Sequence, residues 1–310
     1  MTIPEQSDPN FKTRDASSYD TLADDYDQFV VRLSPPIVAR MIAMARLAPS
    51  PRILDLGTGS GIVALAAAQA IPHATAVGVD LSDGLLTTAR AKASEAGLDT
   101  RVRFVKMDAE ALELEDRSFD AVLSLFALMH FPDPLAALRE MHRVLRPGGR
   151  LVLGVGSGPR LLSALLSGHV GRRLVDLLNE RRGRRLTAPA FLDTLVGKRL
   201  PTPEATETHL AGHTVTRSSR VAALVQEAGF VRVHTPWQAY ETVVERAEEF
   251  WDLQRVLSSN ARKRILGASP DRVDALREEF LSTCRRVQQR GGRLVYPVGV
   301  LYVVAERATA

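Results

Sequence analysis

The sequence has very little cysteine and few aromatic residues. Cys284 is the only cysteine among 310 residues, and aromatic residues make up 5% of the chain. A single cysteine excludes an intramolecular disulfide and a metal site built from cysteines. No apolar run is long enough for a signal peptide or a membrane span, and residues 1–18 are polar. We therefore expect a cytoplasmic protein with no membrane partner, in which Cys284 is an inert helical residue.

The charge balance argues against a nucleic-acid partner. The formal net charge is only +4, and charged residues make up 25% of the chain. No basic surface interleaved with aromatic residues and no RNA-binding motif is evident. A small-molecule substrate is the better prediction, and the chain is long enough to bury a full core.

Residues 53–61 join an apolar strand to a turn in which every second residue is glycine. The stretch reads Ile-Leu-Asp-Leu-Gly-Thr-Gly-Ser-Gly. Because glycine has no Cβ and adopts dihedral angles that other residues resist, such a turn lets a ligand lie against bare backbone. An alanine-rich helix is predicted from Ile62 to Ala70, and its first N–H groups face the same ligand. The pattern indicates a nucleotide-like cofactor.

The spacing of these glycines argues against a nicotinamide dehydrogenase. The dinucleotide fingerprint needs a third glycine where Ile62 stands. Asp55, at the end of the strand, would repel a pyrophosphate but attract an ammonium group. Asp80 ends the next predicted strand, where an acidic residue binds a ribose diol in nucleotide-binding units. A zwitterionic, cationic ligand is therefore favoured.

Further blocks extend this pattern along the chain. They are Tyr19–Asp27, Val79–Ser82, Met107–Glu110, Ser118–Val122, His130–Asp133 and Arg143–Leu151. With the glycine motif, residues 19–156 resemble the class I S-adenosylmethionine-dependent methyltransferases, in the small-molecule branch (methyltransferase type 11) that includes ubiquinone- and menaquinone-type enzymes. The resemblance implies S-adenosylmethionine as cofactor and methyl transfer as activity.

The resemblance also implies a set of site residues. The cofactor site would be formed by Tyr19, Tyr26, Asp55, Gly57, Thr58, Gly59, Gly61, Asp80, Leu81, Asp108, Ala109, Glu110, Ser124 and Phe126. His130 lies on the loop that faces the acceptor in this family, and an imidazole suits a general base because it titrates near neutral pH. The alternative is that His130 fixes the loop backbone or stacks on the cofactor.

Two positions depart from the family pattern. Met107 stands where the adenine-contacting block usually opens with glycine, and Met129 stands where the substrate loop often has a second histidine. The cofactor prediction survives both changes. The identity of the substrate does not transfer.

Strands and helices alternate up to about Val155, which predicts an α/β fold. We expect a Rossmann-like, seven-stranded, mostly parallel sheet with helices on both faces and an inserted helical lid. The predicted parts are a flexible tail (1–18), a cofactor-binding core (19–157), the lid (158–216), and a completion of the core with a helical insert before the last strand (217–310).

Several other residues have two interpretations. The arginines at 172, 173, 181, 182, 184 and 185 form either a solvated lid face or a surface for an anionic substrate. His209 and His213 are one helical turn apart, but without a third ligand they predict no metal site. His142 is predicted to be structural. Trp237 and Tyr240 are assigned to core packing rather than to the acceptor pocket.

The sequence thus predicts methyl transfer to the O, N or C atom of a small molecule. An S-adenosylmethionine-binding protein that performs another reaction, or none, has the same cofactor residues and stays open as an alternative. Monomer and homodimer are both compatible with the sequence.

Overall fold

The computed structural model describes residues 11–20, 23–157, 185–187, 190–200 and 218–309. The chain divides into two compact units. Unit 1 comprises Met1–Ser157, His209–Gln238 and Val300–Ala310, and unit 2 comprises Gly158–Thr208 and Ala239–Gly299.

The described residues form nine strands and eleven α-helices. In chain order, the strands are β1 (Arg52–Leu56), β2 (Thr75–Asp80), β3 (Val102–Lys106), β4 (Phe119–Leu125), β5 (Leu145–Gly156), β6 (Arg185–Thr187), β7 (Val231–His234), β8 (Trp237–Val244) and β9 (Arg293–Glu306). The helices are α1 (Phe11–Asp20), α2 (Ala23–Leu33), α3 (Pro35–Ala45), α4 (Ile62–Ala70), α5 (Asp83–Glu95), α6 (Pro134–Val144), α7 (Ala190–Arg199), α8 (Ser218–Glu227), α9 (Ala247–Leu257), α10 (Ser259–Leu266) and α11 (Pro270–Gln289). A short 3₁₀ helix spans Leu128–His130.

Unit 1 contains the predicted sheet. Its first five strands lie in the order β3-β2-β1-β4-β5, and each neighbouring pair is parallel. The end of β9 pairs antiparallel with β5, and β7 pairs antiparallel with β9. The prediction of a mostly parallel sheet is therefore confirmed, but the predicted number of seven strands is too low, because β6 and β8 also pair with β9 among the described residues. The strand order reverses between β1 and β4, and ligands bind outside the carboxyl ends of the strands at such a point.

Both faces of this sheet are covered by helices. Leu54 of β1 packs in a buried cluster with Leu138 of α6 and Val225 of α8. Tyr302 of β9 belongs to the opposite face, because its neighbours in the strand lie in that cluster and successive side chains alternate. The Tyr302 hydroxyl donates to the Ile37 carbonyl of α3 at 3.2 Å, which places α3 on the second face.

Side-chain caps fix where two of the helices begin. The Ser82 hydroxyl accepts from the Leu85 N–H at the start of α5. The Asp133 carboxylate accepts from the N–H groups of Leu135 and Ala136 at the start of α6, where Pro134 takes the first helical position. These caps satisfy N–H groups that have no partner inside the helix, so they set the helix starts locally.

The alternation of apolar and polar stretches predicts strands at 52–56, 75–80 and 119–125, and β1, β2 and β4 have these bounds. Two other regions differ from the prediction. Residues 11–18 belong to the predicted flexible tail, but they form most of α1. That helix has no apolar face, so hydrophobic periodicity could not reveal it. β6 and β8 were also not predicted; β8 has half-exposed and exposed residues along most of its length.

The described part of unit 2 is mainly helical. Phe280 of α11 lies at the centre of an aromatic cluster, with ring centroids 5.0 Å from Phe191, 5.8 Å from Phe250 and 5.3 Å from Trp251. Cys284 is buried in the same core, and burial raises the pKa of its thiol to about 12. A protonated, buried thiol is unreactive.

Most of the predicted lid lies outside the described residues. Of residues 158–216, the structure describes β6, α7 and Leu200, all of which belong to unit 2. The arginines from 172 to 184, His209 and His213 lie outside the described part. The lid therefore stays a prediction.

Gly78 of β2 provides a test of the packing in unit 1. A Cβ at this position would lie 2.5 Å from Cδ1 of Phe104 and 2.7 Å from the hydroxyl oxygen of Thr58. The Phe104 ring has little room to move, since it also lies over Gly61. We predict that Gly78→Ala lowers the free energy of unfolding by about 1–3 kcal/mol.

The measurement is thermal unfolding by calorimetry, with Gly197→Ala as the matched control. Gly197 lies in α7, and a Cβ there meets nothing within 4 Å. The control should be neutral or slightly stabilising, because alanine favours a helix over glycine. Equal melting temperatures for Gly78→Ala and the parent protein would contradict the close contact between Gly78 and Phe104.

Candidate cofactor and active site

The turn after β1 has backbone angles that suit glycine. Gly57, Gly59 and Gly61 have φ values of 68°, 53° and 81°. A Cβ on Gly57 would lie 2.3 Å from the Cβ of Ala127. The turn therefore disfavours side chains at these positions and exposes its backbone at the carboxyl end of β1.

Asp55 is buried directly beneath this turn. Its Oδ2 accepts from the Thr58 hydroxyl at 2.6 Å and from the Ala64 N–H at 3.1 Å, so it also caps the first turn of α4. Its Oδ1 is buried and has no hydrogen-bond partner among the described residues. Burial raises the pKa of Asp55 to about 7, against the lowering effect of the Thr58 and Ala64 hydrogen bonds. A buried acceptor oxygen is thus left for a ligand.

Asp80 lies at the carboxyl end of β2, as predicted. Its Oδ2 accepts from the Gly59 N–H at 2.8 Å, and its Oδ1 accepts from the N–H groups of Leu81 at 2.8 Å and Ser82 at 3.0 Å. Burial raises the pKa of Asp80, while these backbone donors and the nearby His130 oppose the rise. The backbone thus fixes the orientation of the carboxylate, and its oxygens keep further lone pairs for a ligand.

An open pocket lies at this edge of the sheet, and the empty space in it, including the adjoining solvent, is about 780 Å³. It brings together most of the predicted site residues, which are Tyr19, Tyr26, Gly57, Gly59, Asp80, Leu81, Asp108, Ala109, Glu110, Phe126 and His130. Asp55 and Thr58 line a second, smaller pocket, which shares Tyr26, Gly57, Gly59 and Phe126 with the first. The two pockets thus share a wall made by the glycine turn.

Two predicted site residues line neither of these pockets. The buried Ser124 hydroxyl donates to the Leu56 carbonyl at 2.7 Å, so it ties β4 to β1. Gly61 precedes α4 and faces the Phe104 ring, so its role is to let that ring approach. The structure gives both residues a supporting position.

Aromatic rings form one side of the larger pocket. The Tyr19 ring meets the Tyr26 ring edge-on at 5.5 Å and the His130 ring edge-on at 6.1 Å. His130 lies in the 3₁₀ helix after β4, where its N–H donates to the Ala127 carbonyl at 2.8 Å. The candidate base is thus held at the pocket by both its ring neighbours and its backbone.

Lys12 and Ala16 also line the larger pocket, and neither was predicted from the sequence. Lys12 Nζ lies 2.7 Å from Asp108 Oδ2 and 2.5 Å from Glu110 Oε2. Burial lowers the pKa of Lys12, but the hydrogen bonds to both carboxylates outweigh this effect and the pKa is raised. A lysine in a polar segment without periodicity gives no signal in a single sequence, so only the fold reveals this contact.

The remaining candidate residues lie elsewhere. His142 packs edge-on against the Phe230 ring at 5.0 Å, and burial lowers its pKa. Trp237 packs against the core of unit 1. Tyr240 lies in unit 2.

Among the described residues, no group of three or more His, Cys, Asp or Glu side chains could hold a metal ion. In the same part of the chain, no helix is long and apolar enough to cross a membrane.

The donors and acceptors of the site fit S-adenosylmethionine. The unpaired Asp55 Oδ1 and the buried, unpaired Ser60 hydroxyl lie beside the glycine turn, where the amino-acid group of such a ligand needs an acceptor and a donor. Asp80 offers acceptors for ribose hydroxyls. The aromatic side of the larger pocket can accommodate the planar adenine ring.

Comparison with known proteins agrees with this fit. Residues 54–153 match the family described as "Methyltransferase domain". The chain is 45% identical over 114 residues to demethylmenaquinone methyltransferase of Thermus thermophilus, an alignment covering 37% of the chain and 51% of that protein. It is 37% identical over 131 residues to 27-O-demethylrifamycin SV methyltransferase of Amycolatopsis mediterranei, covering 42% and 48%. The chain thus spans about half the length of these relatives.

A solved structure extends the likeness to nearly the whole fold. The [4+2]-cyclase SpnF has a TM-score of 0.59 and 16% identity, with 96% of this chain and 97% of that chain covered. At this identity the likeness shows the fold alone. Sequence match, fold and glycine turn agree that residues 54–153 are a methyltransferase domain of the S-adenosylmethionine-dependent class.

Proposed function

We propose that the protein transfers a methyl group from S-adenosylmethionine to a small-molecule acceptor. The observation that carries the proposal is the pair of carboxylates, Asp55 and Asp80, at the two ends of one glycine turn. Asp55 provides an unpaired, buried oxygen, and Asp80 is fixed by three backbone donors. Together they suit a ligand with an ammonium group at one end and a ribose in the middle.

The residues of the pocket then have separate roles. Asp55 Oδ1 accepts from the ammonium group of the cofactor, Asp80 accepts from its ribose hydroxyls, and Asp108 and Glu110 lie where the adenine binds. When bound, the cofactor supplies an electrophilic methyl group. The protein therefore accelerates the reaction mainly by aligning the acceptor and excluding water.

His130 is the candidate general base. It lines the pocket beside Tyr19, and its loop follows β4 at the carboxyl edge of the sheet. From there its imidazole can take a proton from a hydroxyl or an activated carbon of the acceptor. An acceptor that arrives as a neutral amine needs positioning alone.

The acceptor belongs to the class of small organic molecules. The names of the two relatives refer to demethylmenaquinone and to a demethylated rifamycin, and we extend only this size class to the present protein. The arginines between 172 and 185 favour an acceptor with a carboxylate or phosphate. We further propose that the enzyme acts in the cytoplasm as a monomer or homodimer.

The direct test measures S-adenosylhomocysteine formation. The purified protein is incubated with S-adenosylmethionine and a panel of quinols, phenols and amines, with and without an acidic group. We expect the product to appear with at least one acceptor class, together with a mass gain of one methylene in that acceptor. Tight cofactor binding without product across the panel would favour a binding protein or another reaction.

Asp80→Ala provides the cofactor control for this test. Loss of the carboxylate leaves buried ribose hydroxyls unpaired, so S-adenosylhomocysteine binding measured by calorimetry should weaken at least several-fold, for about 1–3 kcal/mol. Asp83→Ala is the matched variant, since Asp83 is an exposed carboxylate that pairs with Lys106. If Asp80→Ala binds as tightly as the parent protein, and NADH also binds, the cofactor assignment is wrong.

The raised pKa of Asp55 predicts a pH dependence of cofactor affinity. In the free protein this pKa is about 7. An ammonium ligand needs the ionised carboxylate, so below that pH binding must first release a proton. The affinity for S-adenosylhomocysteine should therefore rise with pH between about 6 and 8, by at most about tenfold per pH unit, and then level off.

Asp55→Asn should abolish this dependence. The amide does not titrate, so its affinity should be weaker than that of the parent protein at pH 8 and should stay flat over the same range. Identical pH profiles for the variant and the parent protein, measured by calorimetry in one buffer series, would show that another group titrates.

A further prediction concerns His130. For a hydroxyl or activated-carbon acceptor, His130→Ala should lower kcat by about 10²–10⁴-fold, the usual contribution of a general base. The affinity for S-adenosylhomocysteine should change little. His142→Ala is the matched control, because His142 packs on Phe230 outside the pocket. A loss of kcat below about threefold would leave positioning as the source of the rate.

A further inference from the structure

Three residues of α1 line the larger pocket. They are Lys12, Ala16 and Tyr19. Their spacing of four and then three residues places them on a single stripe of the helix. The stripe is charged at its N-terminal end, small in the middle and aromatic at its C-terminal end.

Each end of α1 is attached beside a predicted cofactor residue. At the N-terminal end, Lys12 Nζ forms ion pairs with Asp108 and Glu110, which follow β3. At the C-terminal end, Asp20 Oδ1 accepts from the Ser82 hydroxyl at 2.6 Å and from the Gly84 N–H at 3.0 Å. Ser82 in turn donates its N–H to Asp80. The helix therefore extends along the pocket from the adenine block to the ribose-binding strand end.

Among the side chains of α1 that the structure describes, Lys12 and Asp20 attach the two ends of the helix through these polar contacts. Among the side chains of α1 that the structure describes, none is fully buried, and Ala16 and Tyr19 are only partly covered. Lys12 is partly buried between two carboxylates, with a side-chain exposure of 26%, against 12% for Glu110. A charge pair of this kind fixes both partners more firmly than an exposed surface pair does.

We infer that α1 is a recognition wall for the nucleoside part of the cofactor, and that Lys12 and Ala16 determine its fit. This inference rests on the proposed function of the pocket. Lys12 holds the carboxylates of Asp108 and Glu110 in place through its two ion pairs, so that a carboxylate oxygen accepts from the exocyclic amine of the adenine. Ala16 keeps the middle of the wall clear for the nucleoside. Tyr19 closes the wall next to Tyr26 and His130.

Ala16→Leu tests the steric part of the inference. The larger side chain extends into the pocket, so the affinity for S-adenosylhomocysteine should fall at least about tenfold, while the melting temperature stays near that of the parent protein. Ser17→Leu is the matched control, since Ser17 is exposed, belongs to the same helix and does not line the pocket. It should bind as the parent protein does.

Lys12→Met tests the electrostatic part. It removes the charge but keeps much of the apolar chain, and affinity should fall about fivefold or more, because two carboxylates then lie together without a cation. Lys106→Met removes a lysine from an exposed pair with Asp83 and should have little effect. Hydrogen exchange of the amides at 11–20 should slow when S-adenosylhomocysteine binds the parent protein.

The outcomes separate this inference from the proposed function. A parent protein that does not bind S-adenosylhomocysteine would overturn the function itself. If the parent protein binds while Ala16→Leu and Lys12→Met bind equally well, the pocket holds the cofactor but α1 does not recognise it. Unchanged exchange at 11–20 in the complex would lead to the same conclusion.

Discussion

One buried carboxylate organises the site. Asp55 lies at the end of β1 and accepts from Thr58 in the glycine turn and from Ala64 in the first turn of α4. It thus ties together the strand, the turn and the helix that form the proposed cofactor site. The Asp55 carboxyl is buried, and burial disfavours its ionised form, as its pKa of about 7 indicates. Folding stability is lost as pH rises towards 7, since the folded protein holds a proton there that the unfolded chain would release. In exchange for this lower folding stability, the protein has an unpaired carboxylate oxygen, Asp55 Oδ1, available for a cationic ligand.

Apolar side chains packed around the glycine turn also hold the turn in place, on the surface that faces away from the pocket. The Phe104 ring of β3 lies against Gly61 and Gly78, and Ala127 lies against Gly57. Side chains from two separate segments therefore pack against backbone at three glycines, where another residue would place a Cβ. The glycines serve two purposes, because one surface of the turn faces the pocket while the other is filled by these apolar groups. A substitution in this turn would affect stability and cofactor binding together.

Much of unit 1 could be predicted from the sequence, and physical reasons explain the parts that could not. β1, β2 and β4 are buried apolar runs bounded by polar or glycine-containing turns, so their limits are clear from the pattern. β8 mixes exposed and half-buried residues, and α1 has no apolar stripe, so neither gives a periodic signal. Asp55 was predicted from the glycine motif, and Asp80 from its position at the end of the next strand. Lys12 was missed because its partners lie 96 and 98 positions away, and the supporting position of Ser124 was not foreseen because its hydroxyl turns to Leu56 across the sheet. Long-range contacts of this kind leave no trace in one sequence.

The position of β9 bears on how the chain folds during synthesis. Residues 300–306 lie between β5 and β7 in the sheet of unit 1 and pair with both. β5 and β7 are each made earlier than β9, so neither can pair with β9 until the ribosome has added all of unit 2. The β5–β9 pairing joins residues about 150 positions apart, and such non-local contacts form slowly. Until then, β5 has an unpaired edge made of Leu151, Leu153 and their neighbours, which are fully buried in the finished fold. The nascent protein thus passes through a stage in which an apolar strand edge is open to other chains, and a chaperone that covers such edges would raise the yield of folded protein.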